Sequence, residues 1–229
     1  MFPADKKIKS YFPKQKLWGL IAYQPFWGLT IKGWLSMMLT LLAIAILVVI
    51  NIHSFLAPVA PIEAEALVIE GWIGDDGIQG AIAEFQQQDY QILITVGTPL
   101  LRGAYLSEYK NFAQLSAATA IKLGFDPEKI AIIPIPPTKR DRTLASAIVV
   151  KKWLKENYPQ INAINLYSKN VHSRRSWILY KKACNPEVNV GIIAHPPVDY
   201  DARSWWTSSE GFREITGEAI AYIYAKFFS

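Results

Sequence analysis

Cysteine and histidine are scarce in this chain of 229 residues. Cys184 is the only cysteine, which excludes a disulfide-stapled scaffold. Three histidines and one thiol cannot readily complete the four-ligand shell of a structural zinc site. We therefore expect no metal site, and the stability of the folded part has to come from its hydrophobic core.

Common catalytic signatures are missing as well. The chain contains no G-x-S-x-G elbow, no Walker loop and no H-E-x-x-H. Residues 71–80 contain no G-x-G-x-x-G, so no dinucleotide fingerprint follows the first strand of the folded part. The sequence therefore leaves any cofactor undetermined.

Charged residues are absent from Trp34 to Ala57, a run of 24 residues. As a helix this run spans about 36 Å, enough to cross a hydrocarbon core of about 30 Å. We predict an uncleaved transmembrane helix over 34–57. The alternatives are a buried core helix, which seldom stays uncharged for so long, and a signal peptide. The residues after the run, P-V-A-P, offer no good cleavage site.

The net charge of +5 comes wholly from residues 1–33, which hold six lysines and one aspartate. A nucleic-acid-binding domain carries its basic surface on the folded part, so we exclude nucleic acid as a partner. The positive-inside rule places residues 1–33 in the cytoplasm and residues 58–229 outside it. The predicted partner of the tail is the lipid bilayer, because its aromatic residues fit an interfacial segment. These residues are Trp18, Tyr23, Phe26, Trp27 and Trp34.

Short apolar runs alternate with helical patterns after a linker over 58–64. Strands are predicted at 66–69, 92–96, 130–135, 163–167 and 188–194, and helices near 77–88, 105–123, 142–157, 172–184 and 208–227. Gly124 is expected to end the second of these helices. This alternation predicts an α/β fold over 65–229 with a doubly wound, mostly parallel, Rossmann-like sheet. Ligand sites in such folds lie beyond the carboxyl ends of the strands.

A basic turn, S-K-N-V-H-S-R-R, follows the fourth predicted strand at 168–175. Ser168 or Asn170 can cap the next helix, whose first N–H groups are suited to an anion. His172, Arg174 and Arg175 add cationic donors there. The alternative is that both arginines are solvated and that the histidine satisfies a local backbone group.

A second basic helix opening, T-K-R-D-R-T, follows the third predicted strand at 138–143. Arg142 and Thr143 are its candidate ligand contacts. In the alternative interpretation Asp141 caps the helix while Lys139 and Arg140 face solvent. Two such openings at one crevice predict a phosphate or carboxylate ligand.

Three further candidates end the first two predicted strands. Glu70 is apolar-flanked and fits a base, a ribose contact or a hydrogen-bonded structural carboxylate. Gly97 and Thr98 form a tight turn where the backbone can approach a ligand closely.

Residues 65–227 resemble the bacterial envelope proteins typified by SanA, ElyC and YdcF. His172 with Arg175 (or Arg174) matches the family's His-x-x-Arg helix opening, and Arg142-Thr143 falls at its Asn-Thr position. Glu214 and Gly217 match its terminal Glu-x-x-Gly. The glycine-rich loops depart from the family pattern, with E-G-W-I-G after the first strand and V-G-T after the second, so the resemblance is to a divergent member.

The resemblance implies a Rossmann-like domain on a single-pass anchor in the bacterial cytoplasmic membrane, acting in envelope biogenesis. It also implies a phosphorylated ligand, either a polyprenyl phosphate or a nucleotide-like molecule. If the protein is an enzyme, His172 is the only residue placed to act as general acid or base near neutral pH. The alternative function is a non-catalytic scaffold or regulatory factor for envelope assembly, which the departures in the glycine loops favour.

Overall fold

The computed structural model describes residues 16–17, 21–24, 26–100, 105–138 and 140–228. Lys139, Trp18 and four of the tail lysines (Lys6, Lys7, Lys9 and Lys14), which carry sequence-based predictions, lie outside these ranges. The chain divides into two compact units, residues 1–50 and residues 51–229.

The first unit begins with a small antiparallel sheet that the sequence did not predict. Its strands are β1 (Lys16–Leu17), β2 (Ile21–Gln24) and β3 (Phe26–Leu29), in that order. Thr30 follows directly, and its hydroxyl accepts a hydrogen bond of 3.1 Å from the backbone N–H of Gly33 in the first helical turn. This bond satisfies one of the N–H groups that a helix start leaves without a partner.

Helix α1 extends from Ile31 to Leu56. Its most apolar window has a mean hydropathy of 2.7, and none of that window is buried. At 26 residues the helix is about 39 Å long. This helix is long and apolar enough to cross a membrane, and it begins three residues before the predicted span.

The second unit contains a six-stranded sheet in the order β4-β9-β8-β5-β6-β7. The five long strands, β5 (Ala66–Glu70), β6 (Ile92–Gly97), β7 (Ile130–Pro134), β8 (Ala163–Lys169) and β9 (Asn189–His195), are parallel. β4 (Val59–Ala60) adds an antiparallel edge within the predicted linker. The chain winds outward from β5 in both directions, which confirms the doubly wound α/β fold.

Helices cover both faces of this sheet. α2 (Asp75–Gln87) and α3 (Phe112–Lys122) pack on one face with Leu67 and Ile69, whereas α4 (Arg142–Asn157) and α5 (Ser173–Cys184) pack on the other with Ala66 and Val68. Successive residues of a strand point to opposite faces of the sheet, and helices cover both faces. The side chains on both faces must therefore be apolar. This accounts for the continuous apolar runs in the sequence.

A third buried cluster joins the last helix, α6 (Ser209–Phe228), to the end of α1. Its members include Leu56 and Ile215, each about 1% exposed, with Ile52 and Tyr222 packed against them. The end of α1 therefore contributes Leu56 and Ile52 to the core of the second unit.

The prediction of a helix over 105–123 is wrong at its start. The helix begins at Phe112, because the Asn111 side chain accepts a hydrogen bond of 2.8 Å from the N–H of Gln114 and caps it there. Leu106, which the periodicity placed on the helix, is almost fully exposed. The predicted end is confirmed, since Gly124 adopts φ 91° and its N–H bonds to the carbonyl of Ile121.

Candidate functional site

A cleft of about 1060 Å³ opens at the carboxyl ends of the parallel strands. It lies where the strand order reverses, between β5 and β8, which is the usual ligand position in doubly wound sheets. Residues from β5, β6, α3, α4, α5 and α6 line it. Both basic turns predicted from the sequence contribute, Arg142 and Thr143 from one and His172 and Arg175 from the other.

Glu70 ends β5 at the floor of the cleft and is only 3% exposed. It accepts hydrogen bonds from the hydroxyl of Ser168, at the end of β8, and from the hydroxyl of Ser176 at 3.0 and 3.1 Å. A buried carboxylate needs such donors to offset its lost hydration. Glu70 is thus a hydrogen-bonded carboxylate that also faces the cleft. Ser168 is fully buried beneath it and does not line the cleft.

His172 is held between two carboxylates. Its Nδ1 lies 3.0 Å from Oε1 of Glu218, and its Nε2 lies 3.8 Å from Oε1 of Glu70. Nε2 is buried and has no hydrogen-bond partner among the described residues. The Trp72 ring packs edge-on against the imidazole, with ring centroids 4.7 Å apart. The position of the imidazole is therefore fixed through Nδ1, while Nε2 is enclosed beside Glu70 without a hydrogen bond to any described residue.

The tautomer of His172 decides what Nε2 can do. Nη2 of Arg175 also lies 2.8 Å from Nδ1 and is always a donor. When Nδ1 carries the proton, it donates to Glu218 and Nε2 is an acceptor. When Nδ1 accepts from Arg175, the proton is on Nε2 and faces Glu70. The same geometry thus supports a proton acceptor and a proton donor at Nε2.

Glu218 also occupies the fork of Arg175. Nε and Nη2 of the guanidinium lie 2.9 and 3.0 Å from the two carboxylate oxygens. Burial alone would raise the pKa of Glu218, but hydrogen bonds and charge from His172 and Arg175 outweigh it and lower the pKa to about 2. Glu218 is therefore ionised at any physiological pH, and Arg175 is already paired.

The start of α4 provides a second polar wall. Thr143 and Ser146 are 9% and 8% exposed, line the cleft and have no hydrogen-bond partner among the described residues. Asp141 precedes the helix at φ 50°, and its side chain makes no capping bond to the first-turn N–H groups. These N–H groups, the two buried hydroxyls and the exposed Arg142 guanidinium are all hydrogen-bond donors on the α4 side of the cleft.

Two other predicted contacts have a packing role at the cleft wall. A Cβ on Gly97 would lie 2.6 Å from the backbone nitrogen of Ala113, so the start of α3 requires a glycine there. The carbonyl of Thr98 accepts the N–H of Phe112 at 3.0 Å. Both residues line the cleft as well.

The structure does not bring Arg174 to the cleft. Its Nε donates to the carbonyl of Phe55 at 2.6 Å, and its guanidinium lies over the Phe55 ring at 4.5 Å. Arg174 therefore lies on the side of α5 that contacts the end of α1, and of the two arginines only Arg175 lines the cleft.

Two glutamates of α6, Glu214 and Glu218, contact the basic turn over 168–175. Asn170, at φ 43° and 1% exposed, donates to Oε2 of Glu214 at 3.1 Å and accepts from Nε2 of His53 at 2.9 Å. Lys169 pairs with the same carboxylate at 3.1 Å. Glu214 and Glu218, one helical turn apart, thus fix the two ends of the turn.

The sequence places Trp72 at the end of the first strand but assigns it no role, and it does not identify Glu218 or Ser146 as site residues. The only sequence signal for Glu218 is its spacing of four residues from Glu214 in a helix whose following ten residues contain one charge, at Lys226. No family model matches this chain, and no curated protein matches it significantly. The structure defines a Rossmann-like α/β domain that follows a helix able to cross a membrane. The resemblance to the SanA, ElyC and YdcF proteins stays a prediction from the residues.

Proposed function

We propose that the chain is a membrane-anchored envelope-biogenesis protein whose Rossmann-like domain binds a phosphorylated ligand in the cleft. The observation that carries this proposal is the shared cleft itself. The start of α4, with Arg142 and Thr143, and the His172 turn line one cavity at the reversal of strand order. Consistent with the sequence prediction, the anchor lies in the bacterial cytoplasmic membrane, with residues 1–33 inside and the domain outside.

The phosphate is assigned to the start of α4 rather than to the His172 turn. Arg175 is already paired with Glu218, whereas Arg142 has no ion-pair partner among the described residues. Thr143 and Ser146 offer hydroxyls that have no other use in the described structure. Helix N–H groups, hydroxyls and a guanidinium are the usual donors to phosphate oxygens.

The apolar walls of the cleft favour a phosphorylated lipid over a nucleotide-like molecule. They are formed by Trp72, Leu100, Phe112, Leu115, Leu179 and Tyr224. Such a cavity fits a ligand with a charged head and an apolar chain, as in a polyprenyl phosphate.

The carboxylate–imidazole pair equips the cleft for hydrolysis of the phosphate ester or anhydride. With Nδ1–H donating to Glu218, Nε2 of His172 is the proton-accepting nitrogen. Nε2 is buried beside Glu70 in this structure, so a movement of the imidazole has to expose it before it takes a proton from the water molecule whose oxygen attacks phosphorus. The P–O bond to the leaving group breaks, its electron pair stays on that oxygen, and the same proton returns to it from Nε2. Arg142 stabilises the charge on the phosphoryl oxygens.

The scaffold or regulatory role remains the second candidate function, and one observation favours it. Glu70, Asp141 and Glu218 offset the two arginines that line the cleft, so the cavity has no excess of positive charge. The affinity of the cleft for an anion thus depends on the hydrogen-bond donors at the start of α4, because the cleft has no net positive charge.

Ligand-induced stabilisation of the full-length chain in detergent tests binding. We expect inorganic phosphate, pyrophosphate and farnesyl phosphate to raise its melting temperature, farnesyl phosphate the most. Arg142→Ala combined with Thr143→Val should abolish the increase, while Arg140→Ala, an exposed neighbour outside the cleft, should retain it. A nucleoside diphosphate that outperforms farnesyl phosphate would favour the nucleotide-like ligand. No increase with any of these compounds would refute the proposal and favour the scaffold.

Release of inorganic phosphate, followed by ³¹P NMR, tests turnover separately. We expect His172→Gln to stop release while farnesyl phosphate still raises the melting temperature. Binding without release by the unmodified chain would show that the cleft binds its ligand without hydrolysing it.

A further inference from the structure

The C-terminal half of α6 exposes a continuous apolar surface. Five large side chains, Ile220, Ile223, Tyr224, Phe227 and Phe228, are 70%, 54%, 51%, 70% and 74% exposed. Their spacing of three and four residues puts them on one side of the helix. We call these five residues the α6 apolar face. Lys226 is the only charged residue between positions 219 and 228.

Exposed apolar residues that stand singly on a surface need no explanation, but a contiguous set of this size indicates an interaction surface. The opposite side of the same helix is buried. There, Ile215 and Tyr222 pack in the cluster that contains Leu56, and the Tyr222 ring meets that of Phe55 edge-on with centroids 5.3 Å apart. Helix α6 therefore lies directly against the last turn of α1.

The contact with α1 indicates what covers the apolar face. Helix α1 is long and apolar enough to cross a membrane, so the bilayer surface lies close to the residues at which it ends. The surroundings have the composition of a membrane interface. The Arg174 guanidinium lies 4.5 Å from the centroid of the Phe55 ring, and the ammonium of Lys181 lies 3.7 Å from that of Trp177.

We propose that the α6 apolar face lies in the headgroup region of the same bilayer that α1 enters, with α6 as an interfacial helix. Its five side chains then reach the boundary of the acyl chains, and Lys226 extends its ammonium to the lipid phosphates. This inference does not depend on the proposed phosphate ligand, although Tyr224 belongs both to the α6 apolar face and to the cleft wall, so the cleft opens beside the proposed membrane contact.

Nitroxide labelling of the full-length chain in phosphatidylglycerol nanodiscs tests this placement. Ile220→Cys and Phe227→Cys each introduce a reactive thiol, whereas the native Cys184 is fully buried and stays unlabelled. Glu128→Cys, on an exposed turn before β7, is the matched control. We expect oxygen to relax the labels at 220 and 227 several-fold more than a water-soluble nickel chelate does, and the reverse at 128.

Two results would overturn the proposal. Labels at 220 and 227 that respond to the nickel chelate as the control does would place the face in water. Labels shielded from both reagents and broadened by spin–spin coupling would show a second copy of the chain on the face instead of lipid.

Discussion

At the scale of single residues, the central feature is the pair formed by Glu218 and the His172 turn. Glu218 holds both Nδ1 of His172 and the fork of Arg175 within 3.0 Å. One carboxylate thereby orients the imidazole and pairs with Arg175. Under the proposed function, the start of α4 is therefore the part of the cleft that binds the phosphate.

The depressed pKa of Glu218 predicts a pH-dependent contribution to stability. Since the folded pKa is about 2 against 4.5 for an unperturbed glutamate, this contribution is complete above pH 4.5 and is lost as the pH falls toward 2. Its size is at most about 3 kcal/mol. Glu218→Gln should therefore lower the free energy of unfolding at pH 7, and the difference should shrink below pH 4.5.

Denaturant unfolding of the full-length chain in detergent between pH 2 and pH 7 measures this effect. Glu210→Gln, on the same helix but paired only with the exposed Arg213, is the control and should change little. If the difference in the free energy of unfolding between Glu218→Gln and the parent stays constant down to pH 2, the lowered pKa of Glu218 is contradicted.

Asn170 yields a second residue-scale prediction. It is buried at φ 43°, where a β-carbon costs about 1 kcal/mol, and it bonds to both His53 and Glu214. We expect Asn170→Ala to lower the melting temperature more than Asn170→Gly does, because both lose the bonds and only alanine adds strain. If Asn170→Gly leaves the melting temperature unchanged, the side-chain hydrogen bonds of Asn170 contribute nothing to stability. If Asn170→Ala and Asn170→Gly have the same melting temperature, backbone strain at this position contributes nothing.

At the scale of elements, the sequence predicted most of the sheet and one edge of the site. The five long strands follow from continuous apolar runs, and the shared edge of Arg142 and His172 follows from parallel topology. The start of α3 was mispredicted because Leu106 matches the helical period but lies beyond the Asn111 cap. Local sequence patterns predict α6 as a helix but not which elements it packs against. Glu218 could therefore not be assigned to the site from the sequence.

The end of α3 is a test of local structure. Gly124 has φ 91°, and no atom lies within 4 Å of the position of an added Cβ. Gly124→Ala should therefore destabilise the protein by about 1 kcal/mol through backbone strain alone. Thermal unfolding of the full-length chain measures this loss. A stabilising effect would mean that this residue is not in the left-handed conformation.

At the scale of the whole molecule, the end of α1 is part of the folded second unit. Leu56 is 1% exposed in the cluster with Ile215 and Trp205. Leu56→Ala should lower the free energy of unfolding by about 2–5 kcal/mol. Val48→Ala, in the exposed stretch of α1, is the control and should leave the unfolding transition of the domain unchanged. Equal effects of the two substitutions would contradict the placement of Leu56 in this core.

The most direct test of the phosphate site is calorimetric titration of farnesyl phosphate into the full-length chain at pH 7. We expect saturable binding that weakens at least tenfold in the Arg142→Ala, Thr143→Val variant, a loss of about 1.4 kcal/mol or more. We expect unchanged affinity in Arg174→Ala, whose side chain lies outside the cleft. Equal affinity of the parent and the Arg142→Ala, Thr143→Val variant, or loss of binding in Arg174→Ala alone, would contradict a phosphate site at the start of α4.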